Sequence, residues 1–191
     1  MPSFPDHFRL IAPHYDRFFT YQRDEHLPEL LQCSGEGWLL DAGGGTGRVA
    51  ETLRHLAGQV VILDESEGML RQARGKGLIT VCGEIEALPF RNDAISRILM
   101  VDTFHHLRDQ TASAGELLRV LTAGGRLVVQ EPDIRHWMVK LIALGEKVLL
   151  MRSRFRRPET VQRMFEAAGG RVRVQRGKVY FWLLAEKEPR S

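Results

Sequence analysis

Four glycines and two acids hold the residues most able to do chemistry. In "LLDAGGGTGRVA", residues 39–50, Gly43, Gly44, Gly45 and Gly47 follow an apolar run that ends at Asp41. Glycine permits tight backbone angles and lets a ligand approach the main chain. A helix starting behind such a turn adds free N–H groups. The dinucleotide fingerprint G-x-G-x-x-G fails here, because Arg48 stands where its third glycine belongs and the spacing is G-x-G-x-G. No Gly-Lys-Ser/Thr follows, so the P-loop reading fails as well. A carboxylate at the mouth of the turn repels a pyrophosphate and favours a ligand carrying an ammonium or a sulfonium. The plain alternative is a tight turn with Asp41 as a helix N-cap.

Asp64 closes the next apolar run, "QVVILD". In a parallel sheet it falls beside the first acid, where a carboxylate accepts both hydroxyls of a ribose. Its plain alternative is an N-cap ahead of "SEGML". Together the two acids describe an adenosine ligand with a cationic tail, and S-adenosylmethionine carries both.

These residues need a frame. "GWLLDA", "QVVILD", "LITVCG", "AISRILMV" and "GGRLVVQE" read as strands, separated by helical stretches such as "RVAETLRHLA", "SEGMLRQAR" and "ELLRVL". Val49, Leu53 and Leu56 share one helical face, Gly58 ends that helix, and Ser66 is an N-cap for the next. Alternating strands and helices imply an α/β fold with a parallel sheet covered on both faces. "PETVQRMFEAAGG" is a further helix, and "RVRVQRGKVYFWLLAEK" is a hairpin turning at an Arg-Gly pair. Residues 1–35 read as helical pieces forming an N-terminal cap.

The order and spacing of these segments resemble the class I S-adenosylmethionine-dependent methyltransferases, closest to the small-molecule branch of the ubiquinone/menaquinone-biosynthesis (type 11) enzymes. "LLDAGGGTGRVA" resembles that family's first motif and "LDESEGML" its second. "GEIEALPF", "VDTFHHLRD", "LLRVLTAGGRLVVQEPD" and "IAPHYDRFF" resemble later and N-terminal segments. The resemblance implies a Rossmann-like three-layer α/β/α sandwich with a seven-stranded, mostly parallel sheet and an antiparallel C-terminal strand. It implies S-adenosylmethionine as cofactor, S-adenosylhomocysteine as product, and no metal. Carried over residue by residue, it implies cofactor contacts from Asp41, Gly43, Gly45, Thr46 and Gly47 in the turn. After the second strand it implies Asp64 and Glu65, with Met69 covering the adenine. Glu84, Ile85 and Val101 follow, and Tyr15 covers the cofactor from the N-terminal cap. The family loop usually has Asp where Glu84 stands; the longer side chain still accepts from the adenine amino group.

Methyl transfer is an in-line displacement in which positioning supplies much of the rate. A base helps only where the acceptor holds a proton of high pKa. His105 and His106 are the catalytic candidates, with Tyr15 also in reach; Glu131 and Asp133 are equally well read as structural caps. The segment from Ile134 to Met151 is amphipathic, with Ile134, Trp137, Met138, Leu141, Ile142, Val148 and Leu149 on one face. Residues 134–157 read as a lid-like insertion presenting Trp137 or Met138 to a fairly apolar acceptor. The same pattern also suits a helix packed on the core or one lying on a membrane surface.

The chain has 191 residues, which favours a single domain over 1–191 with a core of its own. A net charge of +3 does not by itself argue for nucleic acid, despite a pI near 9.1. Arg152, Arg154, Arg156 and Arg157 read as a solvated face, and they are what favours the alternative of an RNA methyltransferase. A third reading is a non-catalytic S-adenosylmethionine-binding protein. Two cysteines without metal spacing, Cys33 and a buried Cys82, fit a reducing compartment. With no signal peptide and no apolar run near the roughly 18 residues of a span, a cytoplasmic location is expected. The expected partner is a small-molecule acceptor, with no stable nucleic acid and no membrane span; the oligomeric state is open.

Overall fold

A computed structural model describes residues 26–148 and 153–188. The chain runs α1 (His26–Leu31), β1 (Trp38–Ala42), α2 (Arg48–Leu53), β2 (Gln59–Asp64), α3 (Glu67–Gly75), β3 (Ile79–Cys82) and β4 (Ile95–Val101). It continues through α4 (Gln110–Val120), β5 (Leu121–Pro132), α5 (Trp137–Val148), α6 (Pro158–Ala167), β6 (Gly170–Arg176) and β7 (Tyr180–Lys187). Short 3-10 turns lie at Arg54–Leu56, Ile85–Ala87 and Phe104–His106.

The seven strands form one sheet in the order β3-β2-β1-β4-β5-β7-β6. The pairs from β3 through β5 are parallel, and β7 runs antiparallel to both β5 and β6. Alternation along the strands sends side chains to opposite faces. Leu40, Ala42, Val61, Leu63, Ile98, Met100 and Leu127 join one apolar core with Leu117, Leu118, Val161 and Phe165 of α4 and α6. Leu39, Val60, Ile62, Leu99 and Val128 join a second with Leu27, Leu31, Val49, Leu53 and Leu70 of α1, α2 and α3. Strands buried on both faces read as near-continuous apolar runs, which is why "WLLDA" and "QVVILD" carry so few polar residues. The fold is a three-layer, Rossmann-like α/β/α sandwich with an antiparallel strand from the C-terminal hairpin.

Several boundaries differ from the sequence reading. The helix after the glycine turn keeps α geometry only to Leu53 and tightens into the 3-10 turn at Arg54–Leu56. β5 begins at Leu121, ahead of the glycine pair, and its register against β4 shifts between Ile95 and Arg97. Cys82 is exposed rather than buried, because β3 is an edge strand. Asp41 is not the N-cap residue of α2, which is Gly47 in the left-handed region at φ 74, although the Ala50 amide in the first turn of α2 donates to its carboxylate. Nor is Asp64 the cap of α3. Ser66 is, its hydroxyl accepting from the Met69 amide at 3.5 Å. Tyr15 and the rest of residues 1–25 lie outside the described residues, as does Arg152.

Candidate active site

In open α/β sheets ligands bind beyond the carboxyl ends of the strands, where the strand order reverses. Here that point is β1, flanked by β2 and β4. A cleft of about 990 Å³, counted out to open solvent, lies there. The glycine turn forms its floor. The Gly43 and Gly44 amides donate to the Leu63 carbonyl at 2.7 and 3.3 Å, which ties the turn to β2. Gly43 has φ 75, and a Cβ there would stand 2.2 Å from Thr103 Cγ2, so only glycine fits. Gly45 differs: a Cβ would meet nothing nearer than Asp64 Oδ2 at 3.9 Å, so space above it is open to a ligand. Gly47 does not line the cleft. It brings α2 against β2 and α3, where a Cβ would meet Leu78 and Ile62 at 2.4 and 2.6 Å.

The acids sit as follows. Asp64 Oδ2 accepts from the Gly45 amide at 2.9 Å, and its Oδ1 accepts from the Ser66 amide at 2.8 Å. Asp41 is 1% exposed, and its Oδ2 has no hydrogen-bond partner. Burial, reinforced by the Asp64 charge, pushes its pKa up to about 7 against the opposing pull of Arg48 and a backbone hydrogen bond from Ala50. Glu65 and Glu84 reach across to one guanidinium. Arg108 donates to Glu65 at 2.9 Å and to Glu84 at 3.3 Å, while its backbone amide donates to Glu86 at 2.9 Å. Six carboxylates (Asp41, Asp64, Glu65, Glu84, Glu86, Asp102) and two guanidiniums (Arg48, Arg108) line the cleft. Val49, Met69, Ile85, Val101 and Leu107 supply the apolar part, with Thr46 at the turn.

The two histidines part company. His105 is 4% exposed and lies behind the wall, its Nδ1 2.6 Å from Glu131 Oε2. Glu131 Oε1 also accepts the Thr103 and Phe104 amides at 2.9 and 2.8 Å, so it caps the Phe104–His106 turn. Phe155 stacks on the His105 ring at 4.2 Å, and the His106 ring lies 4.0 Å from the His105 ring between centroids. His106 does line the cleft. Burial and the adjacent His105 press its pKa down to about 3, so the ring is neutral at physiological pH. Its Nδ1 meets Ser153 Oγ at 3.1 Å. Asp133 stands outside, hydrogen-bonded to Arg135, which holds its carboxyl below the ordinary range. Trp137 and Met138 are exposed and are not among the lining residues.

Among lining residues the sequence reading did not name, Asp102 and Thr103 follow directly on β4, so the strand-end rule alone would have found them. Arg108, Glu86 and Leu107 carried no signal of their own; the fold brings them in. Among the described residues no group of three His, Cys, Asp or Glu side chains is arranged to hold a metal ion. No described helix is long and apolar enough to cross a membrane.

Residues 40–129, which include every described residue lining this cleft, match the family described as a methyltransferase domain. A ubiquinone/menaquinone biosynthesis C-methyltransferase of Geobacter sulfurreducens is 33% identical over 144 residues, covering 66% of this chain and 56% of that protein. A malonyl-[acyl-carrier protein] O-methyltransferase of Herminiimonas arsenicoxydans is 33% identical over 137 residues, covering 67% and 52%. The chain thus spans little more than half the length of the curated relatives it matches. A crystal structure of a SAM-dependent methyltransferase from Thermotoga maritima superposes with a TM-score of 0.78 at 24% identity, over 95% of this chain and 98% of that one. Residues 40–129, matched where the cleft is built, are a methyltransferase domain, and the chain has the fold of the S-adenosylmethionine-dependent methyltransferases along nearly its whole length, which implies S-adenosylmethionine as cofactor.

Proposed function

We propose that this chain binds S-adenosylmethionine in the cleft and transfers its methyl group to a small, fairly apolar acceptor of the quinone-precursor kind. The observation that carries the reading is the acidity of a glycine-turn cleft. Six carboxylates against two guanidiniums disfavour a pyrophosphate and favour a nucleoside with a cationic tail. The partnerless Asp41 Oδ2 is the sharpest part of that fit, a buried acceptor waiting for a cation or a water it orients.

In this reading Asp64 holds the ribose, since a carboxylate oxygen accepts more than one hydrogen bond and can keep the Gly45 amide. Met69 and Ile85 cover the adenine, and Glu84 accepts from its amino group. Gly45 and Thr46 leave backbone room for the methionyl end, with Asp41 and Val101 beneath and Glu65 at the rim. When bound, the cofactor supplies an activated methyl on a sulfonium. The neutral His106 ring, oriented by Ser153, meets the acceptor and takes a hydrogen bond from it; the Glu131–His105 pair fixes the turn that presents it. The quinone-precursor class rests on the relatives named above and on the apolar lining.

Calorimetry tests the first half: S-adenosylhomocysteine should bind and NAD should not. Incubation with methyl-labelled S-adenosylmethionine and separated cellular fractions tests the second. Label is expected in the organic-soluble fraction. Label in RNA, or binding without any transfer, would replace this reading with one of the two alternatives.

A further inference from the structure

α5 leaves its apolar side in water. Trp137, Leu141 and Leu144, at i, i+4 and i+7, are 65%, 58% and 60% exposed, and Met138 beside them is 45% exposed. Val139, on the opposite side, is fully buried and anchors the helix. Surface leucines scattered singly need no explanation, but a stripe of four large apolar residues on one helix marks a contact.

The surroundings say what kind. Arg135, just before α5, reaches Glu159 in the first turn of α6 at 3.3 Å. The segment leading into α6 therefore lies beside α5, at the sheet end that carries the cleft. That segment holds Arg154, Arg156 and Arg157, all exposed. Arg154 donates to the Arg108 carbonyl and Arg156 to the Gln110 side chain; among the described residues none of the three has a carboxylate partner. The neighbouring acids are already matched, Asp133 by Arg135 and Glu159 by Arg135 and Arg176. The β6–β7 turn lies at the same end, since the Asp133 amide donates to the Val179 carbonyl at 2.7 Å, and it adds exposed Lys178 and Tyr180. An apolar stripe with an aromatic at its start, flanked by a tyrosine and by cations without a carboxylate partner among the described residues, is the chemistry of an interfacial helix.

We propose that α5 and the arginine segment dock this protein on the surface of an anionic bilayer, beside the sheet end that carries the cleft. The inference rests on the apolar acceptor of the proposed function, because such a molecule partitions into lipid and would be collected there. Charge complementarity chooses the occupant: a second copy of the chain would set the same cations against themselves in an isologous contact.

The test is sedimentation of the full chain with lipid vesicles, measured without cofactor or acceptor. Binding is expected to vesicles of phosphatidylcholine with phosphatidylglycerol, falling at high salt and on pure phosphatidylcholine. Arg156→Gln with Arg157→Gln should weaken it roughly thirtyfold, since each cation near an anionic surface is worth about fivefold. Leu141→Gln with Leu144→Gln should abolish it, and the leucine pair should keep the parent melting temperature because its side chains are exposed. No partition, equal partition on neutral and anionic vesicles, or partition indifferent to the leucine pair overturns the proposal. So does a concentration-dependent dimer that the leucine pair dissolves. Vesicle binding without methyl transfer would count against the proposed function alone; transfer without vesicle binding would count against docking alone.

Discussion

Asp64 and Gly45 are joined by a 2.9 Å hydrogen bond across nineteen positions of sequence, from the end of β2 to the middle of the glycine turn. The acid assigned to the ribose is thus also a clamp on the turn. Asp64→Ala should weaken S-adenosylhomocysteine binding roughly 30-fold or more, the equivalent of about 2–4 kcal/mol for charged hydrogen bonds lost. Asp64→Asn, which keeps an acceptor for the Gly45 amide, should lose less. Calorimetry on the two variants checks this, and unchanged affinity in Asp64→Ala would end the ribose assignment.

Asp41 links stability to pH and, in the proposed function, cofactor binding as well. In an unfolded chain an aspartate ionises near pH 4, whereas in the fold Asp41 keeps its proton to about 7. Between those values the unfolded state has released a proton that the native state retains. Native stability therefore falls as pH rises through this window and levels above about 7. Asp41→Asn should remove that slope, so the melting temperature of the variant gains on the parent between pH 4 and pH 8. A cationic ligand draws the proton off, so parent affinity for S-adenosylmethionine should rise with pH, by at most about tenfold per unit, up to about 7. A flat profile in both measurements would remove Asp41 from the cationic end.

Thr103 and Gly43 leave no room for a methyl group. Gly43→Ala combines φ 75 with a contact of 2.2 Å, and both are unfavourable. Thermal melting should show a loss of about 2–4 kcal/mol, combining backbone strain and overpacking. Thr103→Gly in the same chain should recover only the part due to contact.

Glu131 answers three donors in a buried place. Glu131→Ala would leave the Thr103 and Phe104 amides and the His105 ring without it, at a cost of about 3–5 kcal/mol. Glu131→Gln should retain the amide contacts and cost less. If the two variants melt alike, the pair does not hold this turn.

The two-sided burial of β1, β2 and β4 was legible because parallel central strands need uninterrupted apolar runs, and Asp41 and Asp64 stand out where those runs end. The Arg176–Gly177 turn was legible for the opposite reason, a break between two alternating segments. Cys82 misled because an apolar run does not say which strand takes the sheet edge. His105 and His106 were equivalent in sequence, since adjacent residues in a 3-10 turn diverge by more than a quarter-turn; only Glu131, 26 residues away, decides which one faces inward. Arg108 shows the same limit: its partners Glu65 and Glu84 come from two other strand ends. The apolar stripe of α5 was visible as a pattern, yet periodicity alone cannot tell a stripe that meets the core from one that meets solvent.

β7 enters the sheet between β5 and β6, and Phe181, Leu183 and Ala185 on it are fully buried. During synthesis, β5 has only β4 beside it and β6 has no partner at all until β7 has emerged. The cleft, lined among the described residues by positions between 41 and 108, is translated long before that. The nascent chain therefore carries the residues that line the cleft on an unfinished sheet whose β5 border is still open. Ligand present during translation would meet those residues before the sheet that steadies them is closed, so the last strand, far from the chemistry, sets when the protein first becomes competent.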